Sequence, residues 1–190
     1  MEKDNELMLD VGQANELKMA ARRAKATNAD LKRLSEGDMF ALILPVIRGT
    51  AEVVAKRHVI DCDVDPFTPN GWKVEEHRKD GQLEWDPEKI TLHLDDAQKN
   101  GVIEGNDLRS NFKNVPVLNA NVLDYLLANP HLISEEWKDK YVFFWGTIFR
   151  RHDGYLYVRF LGWSGDEWSW FYSWLGSGWR GGGLAASLAS

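Results

Sequence analysis

The feature that most constrains this chain is a stretch of aromatic and β-branched residues between positions 141 and 174. Glycine-containing turns divide it into three runs, each with the composition of a β-strand. The Asp153-Gly154 pair between the first two runs is a hairpin signal, because both central positions of a type I′ turn need a positive φ. The stretch therefore predicts an antiparallel β-meander. Its runs cover residues 141–149, 155–161 and 168–174.

Period-two alternation of side chains divides this meander into two unlike faces. One face is aliphatic and rich in Phe. The other is rich in Trp and Tyr and carries an arginine. This second face is either packed by the middle of the chain, since aromatic cross-strand pairs stabilise a sheet without a ligand, or it is a platform for sugars, bases or a partner's side chains. Its candidate binding residues are Tyr155, Tyr157, Arg159, Trp168, Trp170, Tyr172 and Trp174.

Composition indicates an ordinary folded protein. The 190 residues suffice for one domain, or for a small domain with an appendage. A single cysteine, Cys62, excludes an internal disulfide framework and a cysteine-based zinc site, and it fits a reducing compartment. The charged N-terminus lacks the apolar segment of a secretory signal, and the longest apolar run, residues 39–47, is far shorter than the roughly 20 residues that span a bilayer. We expect a soluble cytoplasmic protein without a membrane partner.

The net charge of −6 is concentrated in residues 59–140, which hold nine Lys/Arg against seventeen Asp/Glu. A broad nucleic-acid footprint needs clustered positive charge, so this acidic middle argues against one. A local basic stripe of Lys18, Arg22 and Lys25 lies on the first predicted helix, residues 13–26, and leaves nucleic-acid binding as an alternative function. A helix-turn-helix reader is not favoured, because the second predicted helix is too short and the third is apolar nearly all round and should be buried.

Capping and turn residues indicate the remaining elements. Thr27 is a suitable N-cap for the second helix, and Asn119 for a helix over residues 120–129. Pro45 must kink or interrupt the third helix. A turn at Lys79-Asp80-Gly81 predicts a hairpin between two short strands. The predicted strands before the meander are residues 51–60, 72–77, 82–85 and 90–94.

One acidic loop has part of the spacing of a calcium-binding loop. Asp61, Asp63 and Asp65 are spaced as at the start of an EF-hand loop. Pro66 stands where the tight-turn glycine belongs, and Trp72 where the bidentate glutamate belongs. An exposed acidic loop is the favoured interpretation, and the alternative is that the three carboxylates hold a divalent ion. An enzyme with a cleft beside residues 61–65 is the corresponding alternative function.

Motifs for catalysis are missing from the sequence. The chain has neither a nucleophile elbow nor a phosphate-binding glycine loop, and its 5 histidines are dispersed. Cys62 lies between two aspartates, which should raise its pKa and make it a poor nucleophile. We expect no catalytic residue, no metal site and no cofactor.

Three long blocks carry a resemblance to known sequences. They read WKVEEHRKDGQLEWD, VLNANVLDYLLANPHLISEEWK and YVFFWGTIFRRHDGYLYVRFLGW. In this order, and followed by a Trp/Tyr-rich segment and a Leu-Ala-Ser ending, they resemble a family of uncharacterised bacterial proteins. The resemblance covers most of residues 59–190. It implies a cytoplasmic bacterial protein and carries no assigned activity.

The sequence as a whole predicts an α+β fold. A small N-terminal helical element, residues 1–49, precedes a mainly antiparallel β domain, residues 50–180, with short inserted helices. The aromatic meander occupies residues 141–175, and residues 181–190 are expected to form a flexible tail. The expected function is binding of a macromolecule or glycan through the aromatic face, because aromatic residues with few charges are typical of binding cores.

Overall fold

The computed structural model describes residues 10–54 and 56–189. The chain forms two compact units, Met1–Lys56 and Arg57–Ser190. The first unit is helical, and the second contains all the strands assigned in the described residues. The fold is therefore α+β, as predicted.

The first unit consists of helices α1 (Val11–Arg23), α2 (Asn28–Ser35) and α3 (Met39–Ile47). Thr27 caps α2 as predicted, because its hydroxyl accepts from the Asp30 backbone while the Asp30 carboxylate accepts from the Thr27 backbone. The prediction that α3 is buried is wrong. Among the described residues none of α3 is buried, and Leu42 is 71% exposed.

The described residues of the second unit form ten strands and three α-helices. In chain order these are β1 (Val59–Asp61), β2 (Trp72–His77), β3 (Gln82–Glu84), β4 (Ile90–His93), α4 (Asp96–Asn100), β5 (Ile103–Glu104), α5 (Gly105–Asn111), α6 (Ala120–Ala128), β6 (Tyr141–Arg151), β7 (Leu156–Ser164), β8 (Glu167–Trp174), β9 (Gly178–Trp179) and β10 (Gly183–Leu188). Short 3₁₀ turns lie at Pro87–Lys89, Phe112–Asn114, Pro130–Leu132 and Glu135–Trp137.

A six-stranded sheet organises this unit. Its order is β4-β10-β6-β7-β8, and β2 also pairs with β6. All pairs are antiparallel except β10 with β6. The meander β6-β7-β8 is confirmed, and its turns use positive φ angles at Gly154, Gly165 and Asp166 as the turn chemistry requires.

Two strand predictions before the meander are wrong. Of the predicted strand 51–60, only its end is in a strand, β1, while Val53 and Val54 are exposed. The predicted hairpin does not form, because β2 pairs with β6 and β3 pairs with β1. One edge of the long strand β6 has room for two partners, because β10 pairs with its start and β2 with its end. Directly after β2, the backbone N–H of Arg78 donates to the Gly146 carbonyl of β6 and extends this pairing.

The prediction of a flexible tail at residues 181–190 is also wrong for the residues described there. β10 lies inside the sheet between β4 and β6, and Ala185 and Ala186 are fully buried. Small side chains are suited to this position because both faces of β10 are covered. The backbone groups of β10 find their hydrogen-bond partners in β4 and β6.

Helices on both faces of the sheet complete two cores. On one face Leu123 and Leu126 of α6 pack with Phe144. On the other face Leu108 of α5 packs with Trp145. The meander is thus a middle layer, and both of its faces take part in core packing.

The position of β10 can be tested with one substitution at two sites. Ala186→Asp should lower the free energy of unfolding by about 3 kcal/mol or more, because it buries a charge without a partner. Ala189→Asp should change it by less than about 0.5 kcal/mol, because Ala189 is exposed. Urea denaturation measures both, and equal effects would contradict the buried strand.

Candidate functional site

Strands β7 and β8 bring the predicted aromatic residues together on one face. Their antiparallel register sets Tyr157 opposite Trp174 and Arg159 opposite Tyr172. Tyr155 directly precedes β7, and its ring lies 5.3 Å from that of Trp174. The remaining pairs of this face are Leu161 with Trp170 and Trp163 with Trp168.

Helix α6 covers part of this face. Its Leu123 and Leu126 share a core with Leu161, and the half-buried rings of Trp168 and Trp170 pack against that core. These two tryptophans therefore contribute to packing, and a ligand could reach only part of each ring.

Arg159 is a structural residue at the centre of the face. It is fully buried, and its guanidinium donates to both carboxylate oxygens of Asp124 on α6, at 3.1 and 2.6 Å. The guanidinium carbon also lies 4.5 Å from the ring centre of Trp170. The prediction that Arg159 offers its charge to a ligand is wrong, because the whole side chain is enclosed by these contacts.

The far end of the face is open. Tyr172 is 45% exposed, Trp174 43% and Tyr155 54%. Phe67, which is 56% exposed, lies at the border with the covered part, with its ring centre 6.4 Å from that of Trp170. Trp72 connects this group to the floor of the face, with ring centres 5.1 Å from Tyr172 and 5.3 Å from Tyr157. We call Phe67, Trp72, Tyr155, Tyr172 and Trp174 the open aromatic cluster.

Polar groups lie beneath the open aromatic cluster, at Tyr157 and Asp153, and beside it, at Arg151. Tyr157 is only 9% exposed, and its hydroxyl donates to the Asp153 carboxylate at 3.1 Å. Burial, followed by this hydrogen bond, raises the pKa of Tyr157. The guanidinium carbon of Arg151 lies 6.0 Å from the ring centre of Tyr172, and a guanidinium nitrogen lies 3.8 Å from the Asp153 carboxylate, so this side of the cluster carries an ion pair.

Two members of the cluster were not among the predicted site residues. Phe67 and Trp72 belong to the segment that follows the acidic loop, and Trp72 begins β2. Their aromatic character is visible in the sequence. Their position is not, because it depends on β2 joining β6 instead of β3.

The acidic loop is a structured connection. The Asp63 carboxylate accepts from the Gly81 backbone, and the Asp61 carboxylate accepts from the Asp63 backbone. The side chain of Asn121 donates to the carbonyls of Asp61 and Val64. Within the described part of the chain, no group of three or more His, Cys, Asp or Glu side chains is placed to hold a metal ion.

Cys62 in the same loop is a poor candidate for a nucleophile. Burial raises the pKa of its thiol to about 11, and Asp80, Asp63 and Asp61 act in the same direction. A thiol with this pKa carries almost no thiolate near neutral pH.

The basic stripe of the first helix is shorter than predicted. Lys18 and Arg22 lie on α1, which ends at Arg23. Lys25 lies beyond the helix with φ of 57°. Its side chain therefore does not continue the helical spacing that the stripe assumed.

Comparison with known proteins adds no relative. No family model matches the chain, and no curated protein or solved structure matches it significantly. Among the described residues, no helix combines the length and the apolar character needed to cross a membrane.

The buried Arg159–Asp124 pair has a natural control in the exposed Arg150–Glu75 pair, which is also bidentate. Arg159→Met should lower the free energy of unfolding by about 3 kcal/mol, because it removes both hydrogen bonds to Asp124 and the contact of a fully buried guanidinium with Trp170. Arg150→Met should cost less than about 1 kcal/mol. Urea denaturation compares them, and similar losses would show that burial does not distinguish the two pairs.

Proposed function

We propose that this protein is a non-catalytic binding protein that takes up an extended peptide along β8 and against the open aromatic cluster. The observation that carries the proposal is that β8 is an edge strand with accessible aromatic side chains. Among the described residues, β8 pairs only with β7, at the end of the sheet. Phe171 is 38% exposed on one side of the strand, and Tyr172 is 45% exposed on the other.

The edge of β8 lacks the features that normally prevent strand addition. Lysine, proline and β-bulges protect edge strands from pairing with other chains. The sequence of β8, EWSWFYSW, contains neither lysine nor proline, and its register with β7 runs from Glu167 to Trp174 without a shift. The opposite edge strand, β4, has only 4 residues, and short edges are themselves protective.

In strand addition, side chains on both faces of β8 can contact the bound peptide. A peptide added to a sheet gains affinity from main-chain hydrogen bonds, and its alternate side chains are read on the two faces. On one face such side chains would meet the open aromatic cluster. On the other they would meet Phe171 between the small residues Ser169 and Ser173.

The alternatives have weaker support. A nucleic-acid partner rests on a basic stripe that the end of α1 interrupts. An enzyme beside loop 61–65 rests on carboxylates that accept backbone hydrogen bonds and on a thiol with a raised pKa. We place the binding protein in the cytoplasm of a bacterium, which rests on the sequence resemblance and on the single free cysteine.

A displayed library of random peptides provides the probe. Peptides selected on the full chain should bind Tyr172→Ser about tenfold more weakly or worse, because an aromatic contact in a binding core contributes more than about 1 kcal/mol. Tyr141→Ser is the matched control, because Tyr141 is 59% exposed on β6 outside the cluster. Isothermal titration calorimetry measures the affinities.

Backbone amides give the mechanistic readout. Bound peptide should slow hydrogen exchange at alternate amides of β8, because strand addition gives them new acceptors. The proposal fails if selected peptides bind both tyrosine variants equally, or if β8 exchange is unchanged in the complex.

A second candidate function, self-association through the helical unit, is favoured by the exposure of α3. Phe40 is 53% exposed, Leu42 71% and Ile47 65%. Several large apolar side chains exposed on one short helix favour an interaction site there. Residues 10–54 hold seven Lys/Arg and six Asp/Glu, so the unit is nearly neutral and a second copy of it is not repelled. Nucleic acid or an anionic membrane would instead select a clear excess of positive charge.

Sedimentation velocity tests this second candidate. The full chain should dimerise, and the double substitution Leu42→Glu and Ile47→Glu should shift it to monomer, because four charges would meet at the apolar contact in a dimer. Val53→Glu with Val54→Glu should leave the dimer intact, since these exposed valines lie outside the helices. A wild-type chain that is monomeric at all concentrations would contradict self-association.

A further inference from the structure

A second concave site lies away from the aromatic face. It is a cleft of about 460 Å³ between the end of β2, the segment that follows α5, and the middle of β6. None of the residues that line it belongs to the open aromatic cluster. Its charged side chains are Glu76, Arg78, Arg109 and Lys113, and its aromatic ones include Phe112 and Trp145.

Arg78 places a fixed positive charge in this cleft. Its guanidinium donates to the carbonyls of Val115 and Phe112, at 2.6 and 2.5 Å. These contacts use two of the five guanidinium N–H groups and leave the charge without a carboxylate. Over the described residues, no carboxylate lies within salt-bridge distance of either Arg78 or Lys113.

The remaining charges in the cleft balance each other. Arg109 forms a bidentate pair with Glu76. The cleft therefore has a net positive charge from Arg78 and Lys113, although the surrounding part of the chain is acidic. Clustered positive charge in a concave site with low-dielectric walls attracts anions.

Two buried aromatic rings close the base of the cleft, since Phe112 is 1% and Trp145 4% exposed. The rings of Phe112 and Trp145 lie 5.2 Å apart at an interplanar angle of 72°. The indole N–H of Trp145 is buried and has no acceptor among the described residues. Apolar walls with a few fixed polar groups are typical of small-molecule sites.

We infer that this cleft binds a small organic anion. A phosphate or carboxylate group lies between Arg78 and Lys113, and the organic body of the ligand extends from it into the cleft mouth, above the buried rings of Phe112 and Trp145. The site is independent of the peptide-binding proposal, since the two share no residue.

Phenyl phosphate and benzoate are suitable probes, and benzyl alcohol is the neutral control. Calorimetric titration of the full chain should show saturable binding of at least one of the two anions and none of the alcohol. Lys113→Met should weaken binding about fivefold, because it removes one charge at contact distance near the surface. Glu76→Gln should strengthen binding by a similar factor, because it removes the carboxylate that lines the cleft and releases Arg109.

The opposite signs of these two changes distinguish ligand binding from a structural effect. Lys73→Met is the matched control. Lys73 is exposed on β2, the strand that also carries Glu76, but it does not line the cleft, so its substitution should leave the affinity unchanged. The inference is overturned if neither anion binds at millimolar concentration, if the alcohol binds as well as the anions, or if Glu76→Gln weakens binding.

Discussion

One buried ion pair determines which part of the aromatic face is core and which part is open. Arg159 in the middle of the sheet and Asp124 on α6 are joined by two hydrogen bonds, and the guanidinium also packs against Trp170. Desolvating a guanidinium is costly, and the bidentate geometry and the aromatic ring offset that cost. Because Asp124 lies on α6, the pair holds this helix over one end of the face. The other end, with Tyr172 and Trp174, is left exposed on a rigid support.

The start of the same helix organises the other side of the unit. Asn119 caps α6, and its side-chain amide donates to the carbonyls of Cys62 and Arg78. Gly146 allows this close approach, since a Cβ atom there would lie 2.9 Å from Asn119. The backbone of Arg78 is thereby fixed, and with it the position from which its guanidinium reaches the proposed anion-binding cleft. A single helix therefore supports both proposed sites, although the sites share no residues.

Helix caps and turns could be predicted from neighbouring residues, whereas strand partners and burial depend on residues far apart in the sequence. The caps at Thr27 and Asn119 and the turn at Gly154 follow from the chemistry of neighbouring residues, so the sequence was sufficient for them. The partner of β2 was not predictable in this way, because a hairpin with β3 and a ladder with β6 satisfy the same local pattern. β10 was missed because its small residues have no strand signal, and their burial comes from the two strands that flank it. Alternation assigned the site residues to one face correctly, but it could not show that α6 covers Arg159.

The structure divides the aromatic face into a half that is core and a half that is accessible surface, and this division can be measured. Photochemically induced nuclear polarisation tests it directly, because the dye in that experiment must touch a Tyr or Trp ring to polarise it. The structure predicts strong signals from Tyr155, Tyr172 and Trp174 and almost none from Tyr157, which is 9% exposed. Equal polarisation of Tyr157 and Tyr172 would contradict the burial of Tyr157 beneath Trp72 and Tyr172. Silence at Tyr172 and Trp174 would show that the proposed peptide surface is closed.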